Sequence, residues 1–113
     1  MKKLIDWAAK THQQAVQILP INDTTITHTW MDSYPYNSIS IYAFHPMYID
    51  LNQLGKMKDK EALAVFEARR QELNALPQID YEAVNNAKRA YLKVMFQQTG
   101  RKVLASAEFQ KIL

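Results

Sequence analysis

Between residues 11 and 55 the chain has no lysine and no arginine. The same stretch holds all three histidines, His12, His28 and His45, and three aspartates, Asp23, Asp32 and Asp50. Within it, residues 28–46, HTWMDSYPYNSISIYAFHP, set two of those histidines among Trp30, Tyr34, Tyr36, Tyr42 and Phe44. Histidine beside aspartate is the raw material of acid–base chemistry and of metal binding. Here His28 is paired in sequence with Asp32, and His45 with Asp50. Such pairs arise by chance in any chain of this length, so neither is a catalytic signal. The histidine spacing matches no metal-ligand pattern, and there is no cysteine to complete a site. None of Ser33, Ser38, Ser40 and Ser106 lies in a nucleophile elbow. Two glycines cannot build a phosphate-cradling loop. These residues predict no enzyme, no catalytic residue, no metal and no cofactor.

Two binding surfaces compete. Tyrosine and tryptophan with depleted charge is the composition of interface cores. Tyr34 and Tyr36 fall in a turn, where burial is least expected, and Tyr42 and Phe44 point away from the predicted core. These four residues form the candidate protein-binding surface. Lys88, Arg89 and Lys93, followed by Arg101 and Lys102, form the alternative, a basic strip that could contact nucleic-acid phosphates. The net charge of +3 is small for a nucleic-acid binder, and interspersed acids make an ordinary solvated helix face the plainer reading.

The elements that must position these residues follow from periodicity. Residues 2–19 have Ile5, Ala8, His12, Ala15, Val16 and Leu19 on one helical face, with Pro20 as the stop. From Thr24 the period shortens to two. Thr24–Met31 and Ser38–Phe44 read as the strands of an antiparallel β-hairpin across the turn DSYPYN. Residues 46–57 fit either a short third strand or a helical turn capped by Asp50 and ended by Gly55. A helix is predicted at 58–76 and another at 80–98, with Asp80 as N-cap and Gly100 as the residue that ends it. A short C-terminal helix follows. The result is an α+β fold, with two to three helices on one face of a small sheet.

At 113 residues the chain is predicted to be a single domain, 1–113. The start, MKKLIDWAAKTHQQ, opens like a secretory signal but is interrupted by Asp6. No apolar run approaches a membrane span, and the absence of cysteine fits a reducing compartment. The sequence therefore predicts a cytoplasmic, non-enzymatic interaction protein. Its partner would be another protein, with nucleic acid as the alternative, no membrane contact, and self-association left open.

Overall fold

The N-terminal residues coil as expected but stop early. In the computed structural model, which describes residues 2–112, helix α1 spans Lys2–Lys10 and does not reach residue 19. The Thr11 hydroxyl donates to the carbonyls of Trp7 and Ala8. His12 then takes a left-handed conformation, φ 60°. The N–H groups of His12 and Gln13 fold back onto the carbonyls of Ala9 and Ala8, at 3.1 and 2.9 Å. This is a Schellman ending with histidine where glycine is usual. His12 is thus the stop signal, not a member of the apolar stripe, and residues 15–20 have no regular structure.

No β-hairpin forms, and no sheet is present among the described residues. This corrects the α+β assignment. A single antiparallel bridge, Asn22 to Phe44, survives. It is flanked by bonds from Asp23 N–H to Ala43 C=O (2.8 Å) and from His45 N–H to Ile21 C=O (2.9 Å). The reason is where the backbone donors go. The Asp32 carboxylate takes the N–H groups of Ile26, Thr27 and His28. The N–H of Trp30 goes to the Glu82 carboxylate at 2.7 Å. Those are donors that a strand ladder would need. His28, at φ 59°, breaks the extended conformation outright. The threonines that suggested a strand spend their hydroxyls locally instead, Thr24 on the Asp32 carbonyl, Thr25 on Asp23 and Thr27 on Asp32. Residues Trp30–Ser33 close the loop as a 3-10 turn.

Two more 3-10 turns follow, Pro46–Tyr48 and Leu51–Leu54. Asp50 caps the latter through the N–H of Asn52, and Gly55 ends it at φ 88°. Of the two sequence readings of 46–57, the structure takes the capped turn, not the strand.

Helix α2 spans Lys60–Asn74, with the Asp59 carboxylate capping the N–H of Ala62 at 2.9 Å. Helix α3 spans Tyr81–Leu104, with Asp80 capping Ala83 at 2.9 Å. α3 runs past Gly100, so that glycine is not a helix terminator. It is buried inside the helix, and a Cβ there would meet the Phe96 ring at 2.9 Å. α4, Ala107–Gln110, follows after Ser106 caps its first turn. α3 is the spine: it touches α2, α4 and all three 3-10 turns. The α2–α3 contact centres on Phe66 and Tyr91, whose rings meet edge to face at 5.2 Å.

The buried apolar residues are few: Ala8, Met57, Tyr81 and Met95. Trp7, Ile39, Ile41, Val65 and Phe96 are all exposed. The Cα radius of gyration is 16.9 Å, against about 13 Å for a compact domain near this size. The chain therefore leaves many of its large apolar side chains exposed.

Candidate functional site

The best-built local structure is the loop that holds the aromatic segment. Asp32 is 5% exposed. Its carboxylate accepts from the N–H of His28 (2.6 Å), Thr27 (3.0 Å) and Ile26 (3.1 Å), and from the Thr27 hydroxyl (2.9 Å). Burial pushes this carboxyl upward, but the bonds from Thr27, His28 and Ile26 outweigh it and hold the group below its ordinary value. Asp32 is an ionised anchor whose lone pairs are already taken. It is not a proton donor in waiting.

The Asp32 backbone carbonyl is the end of a second network. His45 Nδ1 accepts the Met47 N–H at 3.0 Å, so the ring proton sits on Nε2. Nε2 donates to the Tyr81 hydroxyl at 2.6 Å, and that hydroxyl donates to the Asp32 carbonyl at 2.9 Å. The Thr24 hydroxyl reaches the same carbonyl. Thr24, Asp32, His45 and Tyr81 are all buried. This chain pins the 30–45 segment to the first turn of α3. The Trp30 ring adds a tilted contact to Tyr81, centroids 6.2 Å apart.

On this clamped base the aromatics face outward. Tyr34 and Tyr36 are each 62% exposed and pack against one another, centroids 5.5 Å apart at 58°. Trp30, Tyr42 and Phe44 are also exposed. The structure thus places all four sequence-predicted aromatics at the surface, on an irregular segment. His28 is exposed, and its backbone serves Asp32. His45, paired in sequence with Asp50, is instead the buried link to Tyr81. Its role had no sequence signal, because Tyr81 lies on another element.

The basic residues do not converge. Lys88 turns inward and donates to the carbonyls of Met47 and Ile49. Burial lowers its ammonium below the ordinary lysine value, with Asp50 partly opposing. Arg89, Lys93, Arg101 and Lys102 are exposed. The helical period of about 100° per residue spreads them around α3.

The carboxylates are mostly committed to structure. Asp50, Asp59 and Asp80 cap turns or helices. Asp23 holds Thr25, and Glu82 holds Trp30. Glu67 and Glu72 pair with Arg70 and Arg69, each at 2.7 Å. Among the described residues no group of three histidines or carboxylates is placed to hold a metal ion. A cleft of about 280 Å³ lies between the Asp50 turn, α2 and α3. A shallower groove beside Trp30 lies along the other side of the α2–α3 pair.

Comparison with known proteins supplies what local chemistry does not. A family model described as 4-alpha-glucanotransferase, a glycosyl hydrolase family, matches residues 1–112. The chain belongs to this family. It is 36% identical over 118 residues to the 4-alpha-glucanotransferase DPE2 of Oryza sativa subsp. japonica, an alignment covering 100% of this chain and 12% of that protein. It is 35% identical over 101 residues to a 4-alpha-glucanotransferase of Chlamydia trachomatis, covering 89% of this chain and 18% of the relative. A Chlamydia caviae 4-alpha-glucanotransferase is 36% identical over 94 residues, covering 83% and 17%. The chain therefore spans less than a fifth of the length of these relatives. No solved structure matches it.

Family membership overturns the non-enzymatic reading, both as a protein-interaction module and in its nucleic-acid alternative: the family is one of enzymes. Among the described residues no helix is long and apolar enough to cross a membrane.

Proposed function

We propose that this chain works as one segment of a 4-alpha-glucanotransferase, and that its task there is to hold the glucan. The reaction moves an α-1,4-linked glucose segment from one chain to another. Breaking a glycosidic bond takes two carboxyl groups flanking it, about 5–5.5 Å apart in retaining enzymes. The carboxylates described above are mostly engaged as caps, ion pairs and loop anchors, and Asp32, the most buried, has no free lone pair to offer a sugar. With those groups so engaged, the role that fits this segment is substrate holding.

The observation that carries this reading is the Tyr34–Tyr36 pair. Two exposed rings stand on a loop that Asp32, His45 and Tyr81 make rigid. A glucose ring has an apolar C–H face and a polar hydroxyl rim. An aromatic ring already held in place accepts that face at little entropic cost. Trp30, Tyr42 and Phe44 extend the same chemistry along the segment. The apolar surface this chain leaves open supports its packing within a larger protein. The cysteine-free composition supports a cytoplasmic location.

The test is Tyr34→Ala with Tyr36→Ala in a complete transferase carrying this segment. Losing two stacking contacts, at about 0.5–1.5 kcal/mol each, should raise KM for maltoheptaose by roughly tenfold. The melting temperature should stay within a degree or two, because both rings are exposed. An unchanged KM in the folded double variant would remove the reading.

A further inference from the structure

A neutral histidine has one acceptor nitrogen and one donor nitrogen; a protonated one has two donors. His45 is 6% exposed and uses both nitrogens. Nδ1 accepts the Met47 N–H at 3.0 Å and so caps the Pro46–Tyr48 turn. Nε2 donates to the Tyr81 hydroxyl at 2.6 Å, and that hydroxyl donates to the Asp32 carbonyl at 2.9 Å. Only the neutral ring can make this set. A proton on Nδ1 would set two N–H groups against each other, and the cap would be lost. The ring would have to turn away from Met47, and the short bond at its far end could not follow. We infer that His45 is a positioning residue for the Tyr34–Tyr36 pair, competent only when neutral, so that protonating it weakens glucan binding. This rests on the glucan-holding role proposed above and adds a regulation to it.

The surroundings offer the charged ring no relief. The Tyr48 ring meets it edge-on from its own turn at 6.0 Å, and the Tyr81 ring does so from α3 at 5.9 Å. The Lys88 ammonium, also from α3, donates to the carbonyls of Met47 and Ile49 and brings a like charge to the same turn. The nearby carboxylates are held elsewhere. Asp23 is on Thr25, Asp32 on residues 26–28, Asp50 on Asn52, Asp80 on Ala83 and Glu82 on the Trp30 N–H. Among the described residues no carboxylate pairs with the His45 ring. A buried charge without a partner is costly, so the ring should leave its place when it is protonated.

The effect should be a shift and not an unravelling. Between about pH 8 and 5, where histidine is the side chain that ordinarily titrates, the Asp32 carboxyl stays ionised and keeps the N–H groups of Ile26, Thr27 and His28. The loop keeps its internal bonds but loses its tether to α3 through Tyr81. Tyr34 and Tyr36 follow two and four residues after the tethered Asp32 carbonyl, so the pair moves with it.

The experiment uses a complete transferase carrying this segment, as the parent, as His45→Asn and as His45→Ala. Asparagine is a good cap that does not titrate in this range, whereas alanine cannot cap. KM and kcat for maltoheptaose are measured from pH 8 to pH 5.5. At pH 8 the parent and His45→Asn should agree within about threefold, with KM for His45→Ala higher. Towards pH 5.5 the parent KM should rise roughly three- to tenfold relative to that of His45→Asn, the size of one lost hydrogen bond. The kcat ratio of the two should stay flat. Without sugar, amide exchange of the 45–49 peptide, corrected for the intrinsic effect of pH, should quicken in acid in the parent and not in His45→Asn. The Ile26–His28 amides should not change.

A parent-to-Asn KM ratio that stays flat with pH, together with unchanged exchange at 45–49, would overturn the positioning role and leave the tyrosine effect standing. Exchange that responds to acid while KM does not would keep the His45 switch and count against the glucan-holding reading.

Discussion

Replacing Asp32 by asparagine is the sharpest perturbation of the loop that carries the aromatics. The carboxylate collects three backbone N–H groups and one hydroxyl. Asparagine keeps one acceptor oxygen and turns an NH2 toward the remaining donors. One or two charge-assisted bonds are lost, at about 1.5–3 kcal/mol each, so local opening should become easier by roughly 2–4 kcal/mol. At about 1.4 kcal/mol per decade, the amides of Ile26, Thr27 and His28 should exchange roughly thirty- to a thousandfold faster. The assay is amide exchange by mass spectrometry on a complete transferase carrying the segment, followed across pH. Because the folded carboxyl is held below its ordinary value, the stability it adds is present above the unfolded value near 3.8. It is lost as pH falls through the folded value. The unaltered loop should therefore loosen only in acid below that value, and Asp32→Asn should abolish this acid dependence. Equal exchange in variant and parent at neutral pH would refute the anchoring role.

Two further outcomes follow from the same geometry. Tyr81→Phe removes the hydroxyl that joins His45 to the Asp32 carbonyl, and the stranded His45 Nε2–H should cost about 1–3 kcal/mol, read as a lower melting temperature. Lys88 titrates below the ordinary 10.5 through burial, so the unfolded chain keeps its proton to higher pH. Stability should rise slightly as pH climbs through the folded value toward 10.5, and Lys88→Met should flatten that rise in urea titrations.

The long helices were legible because each level of the sequence agrees. Asp59 and Asp80 cap their first turns, and good helix formers fill both runs. α1 was half legible, since nothing in its composition marks His12 as a left-handed stop. The hairpin failed because threonine has two uses. The run Thr24–Thr29 alternates like a strand, but its hydroxyls and amides serve Asp32, five residues or more along for most of them. Gly100 misled for a related reason: a glycine can end a helix or let a ring, here Phe96, lie across it. Tyr34 and Tyr36 lie exposed among the turn residues that suggested their exposure, whereas Tyr42 and Phe44 are exposed without the strand alternation from which their exposure was expected. The enzyme was not legible, because the family's chemistry is not written as a local motif in these residues. His45–Tyr81–Asp32, which shapes the candidate site, joins positions up to 49 residues apart and so leaves no pattern in sequence.

The most direct test of the glucan-holding role is an exchange footprint. A complete transferase carrying this segment would be measured with and without saturating maltoheptaose, and peptides covering residues 30–44 compared. Protection should appear there on adding the sugar, centred on Tyr34–Tyr36, and weaken in the Tyr34→Ala/Tyr36→Ala variant. Sugar-induced protection elsewhere in the enzyme, with residues 30–44 unchanged, would contradict it.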